Sequence, residues 1–224
     1  MPAPVLQSIS AVAESATSSL AMNAPSGVAS GDFLLAVVTS ENRQQASTPS
    51  GWDLVHYIET AVVNLGQTVF RRIATGGGDD TPTISFPGSA ALSGIILRIN
   101  GQAASSPFDA SNSAASGFAA TMAVPTATVA QNDSLCVLVT SSISQSLTCS
   151  VDNSWSEFGE YPSTTTGIAA YRQTSAAGTS PGGTITWSSS TRFVASTVII
   201  KPAAAAGDLL LRLQGEGIFG GGLI

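Results

Sequence analysis

Glu157 and Glu160, in "SWSEFGEY", are the two carboxylates of this chain best spaced for glycoside hydrolysis, which needs a pair of acids about 5 to 10 Å apart beside a groove. Trp155 and Tyr161 flank them and offer a possible platform for a sugar ring. The corresponding segment around Trp52 carries Asp53 but no second acid, so both tryptophans are expected in the core. Asp79 and Asp80, in "TGGGDDTP", would give a calcium ion hard oxygen donors on a glycine-rich loop. The matching segment "AAGTSPGG" has no carboxylate, which favours a solvated hairpin tip. His56 is the only histidine, so a His-based metal cluster is excluded; alternating with Val55 and Tyr57, it is expected on a strand surface. Cys136 and Cys149 are expected as free, buried thiols, because a secreted disulfide framework usually carries more cysteines. "GGGDD" lacks the Lys-Ser/Thr of a phosphate loop, and there is no G-x-S-x-G elbow. These residues predict no catalytic, metal or cofactor site and therefore a protein that is not an enzyme.

The elements that carry such residues must come from an unusual composition. Charged residues make up 10% of the chain and hydrophobic ones 43%, with Ser, Thr, Ala and Gly in the places that Lys and Glu usually take. No apolar run approaches the roughly 18 residues of a membrane span. The net charge is -6 and the arginines are scattered, which argues against nucleic acid as a partner. The opening "MPAPVLQSIS" has neither the basic nor the apolar region of a secretory signal, so a protein made and kept in the cytoplasm is expected. An exterior-type composition without an export signal suits a component of a particle assembled in a cell and released by lysis.

An echo runs through the chain. "GDFLLAVVTS" from Gly31 returns as "NDSLCVLVTS" from Asn132, and "TISF" from Thr83 returns as "TITW" from Thr184. Met22 pairs with Met122, Trp52 with Trp155, "VFRRIA" from Val69 with "AYRQTS" from Ala170, and "GIILRI" from Gly94 with "TVIIKP" from Thr197. An internal duplication of about 100 residues follows, with a first β repeat over 1–102, a second over 103–202 and a C-terminal linker and arm over 203–224.

Each repeat reads as β. "TISF" and "TITW" alternate apolar and polar residues, and clusters such as "STPSG" and "FPGS" mark turns. The segment from Ala11 to Met22 is ambiguous alone, but its counterpart contains Gly and β-branched residues, so both are read as strands. Gly31 and Asn132 are expected to take a left-handed conformation at a tight turn. Phe33 to Val38 and Leu135 to Val139 are apolar on both faces, so each strand must lie in mid-sheet with both faces covered. The expected fold is all-β: an antiparallel, jelly-roll-like β-sandwich of about ten to fourteen strands in one compact body.

The Gly-Asp-Leu-Leu type of strand start, "PSGW", the aromatic-Arg strand "VFRR" and the closing "GIILRI" resemble the β-sandwich virion proteins of tailed bacteriophages. The resemblance covers nearly all of residues 20–202. It implies a structural or adhesive role: a capsid decoration (cement) protein bound to the major capsid protein or other virion proteins, assembled in the host cytoplasm. The alternative it implies is a fibre, tail or secreted adhesin-like module that binds carbohydrate.

The chain ends with "GDLLLRLQGEGIFGGGLI", a third copy of the strand start with no repeat behind it. A lone strand leaves its edge unpaired. Either it folds back as a last edge strand, or it is an assembly arm that adds to a neighbouring sheet, with Leu209, Leu211, Leu213, Ile218 and Phe219 as its apolar contacts. The arm implies a homo-oligomer.

Overall fold

The computed structural model describes residues 3–60, 64–142, 147–152, 154–162 and 166–203. Among these, the one helical element is a 3-10 turn at Gly78–Asp80. The chain is an antiparallel all-β sandwich. In its first half, β1 (Val5–Ile9), β4 (Phe33–Glu41), β5 (Asp53–Thr60), β6 (Leu65–Ile73) and β8 (Leu92–Asn100) form one sheet in the order β1-β8-β4-β6-β5. The short β2 (Ala13–Ser15) also pairs with β8, while β3 (Ser19–Ala21) pairs with β7 (Thr83–Ser85) as a separate small sheet. The ambiguous segment Ala11–Met22 thus contains two short strands.

In the second half, β9 (Phe108–Ala123), β11 (Leu135–Ser142), β13 (Ser156–Pro162), β14 (Thr166–Gln173) and β16 (Thr184–Ile200) take the order β9-β16-β11-β14-β13. The short β12 (Cys149–Val151) also pairs with β16, and β10 (Thr128–Val129) pairs with β15 (Gly178–Thr179). Renumbered from its own start, each half has the same order of five long strands. No described strand of one half enters the main sheet of the other, so the halves do not interleave.

The two-faced apolar strands explain how the halves meet. From β4, Phe33, Leu35 and Val37 join Leu135, Val137 and Val139 of β11 in a central core between the sheets. Their alternate neighbours point the other way: Leu34, Ala36 and Val38 pack under Leu20, Trp52, Ile84 and Phe86. Cys136 and Leu138 pack under Trp155, Ile185 and Trp187. Each main sheet is therefore covered on one face by the other sheet and on the other face by short strands and loops of its own half. A β-strand sends successive side chains to opposite faces, so a strand apolar at every position requires this double cover.

The ladders also fix which residues correspond, and several differ from the sequence alignment. Phe33 pairs with Ile73 and Ile99, as Leu135 pairs with Gln173 and Ile200. Arg72 therefore corresponds to Arg172, not to Gln173, and Ile95 corresponds to Ser196. Leu20 faces Ile84 as Met122 faces Ile185, so Met122 is the counterpart of Leu20 and not of Met22. Gly31 at φ 95° corresponds to Asp133 at φ 58°, which makes Asp133, rather than Asn132, the left-handed residue of the second turn. Trp52 and Trp155 do correspond. Just beyond them β5 and β13 are irregular at the same place, between Leu54 and His56 and between Glu157 and Gly159.

Candidate functional site

A chain of polar side chains crosses the apolar seam between the two main sheets. Thr39 on β4 donates to Ser141 on β11 at 2.7 Å, and Gln67 Nε2 on β6 donates to the same hydroxyl at 3.3 Å. Ser196 on β16 donates to Gln67 Oε1 at 2.5 Å. His56 on β5 closes the series with Nε2 2.7 Å from Ser196 Oγ. Thr39 and Ser141 hold the same ladder position in their two halves, so their bond marks the point where a twofold relating the halves would pass.

The direction of these bonds decides their chemistry. The Ser196 proton points at Gln67, so His56 must donate Nε2–H to Ser196. A nucleophilic serine needs the opposite, a histidine that accepts its proton. Ser196 is also fully buried, so no substrate reaches it. The arrangement suits an internal polar network of the core and not an acyl-transfer site. His56 is thus placed between the sheets and not on a strand surface. Burial lowers its pKa from 6.5 to about 4, keeping the imidazole neutral, and its Nδ1 is buried without a partner.

Asp80 is likewise not at a solvated tip. Its carboxylate is 2% exposed, accepts from Arg72 Nε at 2.9 Å and from the amides of Gly76 and Thr75 at 2.8 and 3.3 Å. Gly51, at φ 74°, lets the Arg72 guanidinium pass where a Cβ would collide with it. These oxygens are committed to an ion pair and two amides, which leaves Asp80 unsuited to calcium. The Asp79 side chain lies outside the described residues. Arg98 and Asp32 form a second ion pair, at 2.7 Å.

Trp155 is buried, its indole donating to the Gly182 carbonyl at 2.9 Å, so its ring is not a face on which sugar can stack. Trp52 is buried at the matching position. Glu157 is exposed and accepts from the Val151 amide at 2.9 Å, while the side chains of Glu160 and Tyr161 lie outside the described residues. Leu209, Leu211, Leu213, Ile218 and Phe219 also lie outside them. Cys136 and Cys149 are buried free thiols, as the sequence suggested, and burial pushes the Cys136 thiol up to about 12. Among the described residues no three His, Cys, Asp or Glu side chains come together.

Three open clefts among the described residues bear on these side chains. One, of about 240 Å³, lies where the segment joining the halves, Ala104 to Pro107, passes Phe33, Asp53 and Arg71. Arg71 is already engaged there, 3.4 Å from Asp53 and with its guanidinium carbon 5.1 Å from the centre of the Phe108 ring. A second opening, of about 270 Å³, lies beside Pro49 and Gly78. The third lies beside Arg172. Sequence reasoning passed over Arg172, although its one signal was visible: the loss, in the second repeat, of the carboxylate that Asp80 supplies in the first. Comparisons with protein-family models, curated proteins and solved structures find no match for this chain.

Proposed function

We propose that the chain is a non-enzymatic structural protein of a tailed-bacteriophage virion, a capsid decoration protein that binds the capsid or its own copies as a homo-oligomer. The observation that carries this reading is the fate of the chemistry-bearing side chains. His56, Ser196 and Asp80 are spent on internal contacts between and within the sheets, while apolar side chains are left outside. Phe118 is 69% exposed on the outermost strand β9, and Val5 and Leu54 are exposed on the outer strands β1 and β5. Unpaired strand edges bearing apolar groups are surfaces that a neighbouring strand can extend.

The arm from Gly207 to Ile224 supplies such a strand in this reading. Light scattering on the full-length chain beside one ending at Pro202 tests it. A defined oligomer that becomes a folded monomer on truncation is the expected result; equal masses for the two proteins would refute the arm. The burial of Trp155 weakens the carbohydrate-binding alternative in the form that stacks a sugar on that ring.

A further inference from the structure

The two halves treat one arginine differently. In the first, Arg72 lies against Asp80, whose carboxylate also takes the amides of Thr75 and Gly76. In the second, the ladder puts Arg172 at the same position and Ser175 and Ala176 after it in place of Thr75 and Gly76. The place of Asp80 falls at Ser180, counted forward from β14, or at Pro181, counted back from β16; neither bears a carboxylate. The loop has gone elsewhere: Gly178 and Thr179 pair with Val129 and Thr128, and Ser180 Oγ accepts from the Ala127 amide. What Asp80 fills in one half is open in the other, a cleft of about 330 Å³ lined by Arg172, Gln173, Ser175, Ala176, Thr179 and Pro181.

Arg172 is half-buried, and no carboxylate among the described residues comes within ion-pair distance of it. Asp152 is close enough to feel its charge, but it is fully exposed and its oxygens accept from Ser154 and from the Thr184 amide. Ser154 stands where the first half has Gly51, so a side chain closes the path that Arg72 takes there.

We propose that this cleft binds the carboxylate of a small sugar acid, such as a uronate, with Arg172 replacing for the ligand what Arg72 does for Asp80. A guanidinium presents paired N–H donors that match a carboxylate, and the Ser175 and Thr179 side chains offer partners for ring hydroxyls. This proposal is independent of the virion reading: it concerns a cleft on the outer side of the second half and needs neither the arm nor an oligomer.

The test is an NMR titration of the ¹⁵N-labelled full-length protein with sodium glucuronate, glucose and acetate. Glucuronate should shift the Arg172 side-chain signal and the amides of Ser175 and Ala176, acetate should bind the same signals more weakly, and glucose should leave them unmoved. Arg172→Gln should weaken glucuronate binding at least about tenfold. Pro181→Asp, which supplies a resident carboxylate, should abolish it, and thermal melting establishes that each variant is folded. No glucuronate shift at these signals, glucose or acetate binding as tight as glucuronate, or full affinity in Arg172→Gln would each overturn the proposal.

Discussion

Replacing Asp80 by alanine isolates the most buried ion pair described in this chain. The side chains of Arg72 and Asp80 are 6% and 2% exposed, so Asp80→Ala takes a buried carboxylate away from a guanidinium whose other contacts include the Ser50 carbonyl and Thr75 hydroxyl. It also strips the amides of Thr75 and Gly76 of their acceptor. Breaking a buried pair from one side costs about 3–5 kcal/mol, whereas an exposed pair is worth about 0–1 kcal/mol. At about 2–4 °C per kcal/mol for a domain of this size, the melting midpoint should fall by about 6–20 °C. Urea unfolding followed by tryptophan fluorescence measures the free energy. The double variant Arg72→Leu, Asp80→Ala removes both members of the pair and should recover part of the loss. A loss below about 1 kcal/mol for Asp80→Ala would refute the reasoning, because the pair would then behave as if solvated.

Two further outcomes follow from the core. Because burial holds His56 at about 4 against 6.5 when unfolded, the unfolded chain binds more protons between those values. Its contribution is therefore full above pH 6.5 and is lost as pH falls through that range towards 4, by about 3 kcal/mol in all; His56→Gln should flatten urea stability between pH 7 and 5 relative to the wild type, and parallel profiles would refute this. Gly94→Ala would put a Cβ 2.9 Å from Met22 Cε, 3.0 Å from Leu20 Cδ2 and 3.2 Å from the Val37 carbonyl oxygen, so a loss of about 1–3 kcal/mol in urea unfolding is expected, and an unchanged midpoint would show that the layer over β8 yields freely.

The all-β class was legible because alternation and turn residues are local signals. The need for cover on both faces of β4 and β11 was legible too, since every position from Phe33 to Val38 is apolar. The alignment of the halves was readable at Trp52 with Trp155 and at Thr83 with Thr184, but slipped elsewhere. Strings such as "VFRRIA" and "AYRQTS" match almost equally well one residue apart, whereas a hydrogen-bonded ladder admits one register. The candidate sites were misread for a related reason. Val55-His56-Tyr57 looks like a strand facing water, and only the second sheet, whose Ser196 comes from 140 residues away, turns that face into an interior.

By itself, the sequence determined strand type and the two-faced strands, because these rest on side-chain period and short-range spacing. Tertiary structure alone decided that the halves form separate sheets packed face to face, that His56, Gln67, Ser141 and Ser196 join across the seam, and that one loop turns in to satisfy Arg72 while its counterpart turns away from Arg172. Those outcomes depend on contacts between residues far apart in the chain, whose energies no local pattern encodes.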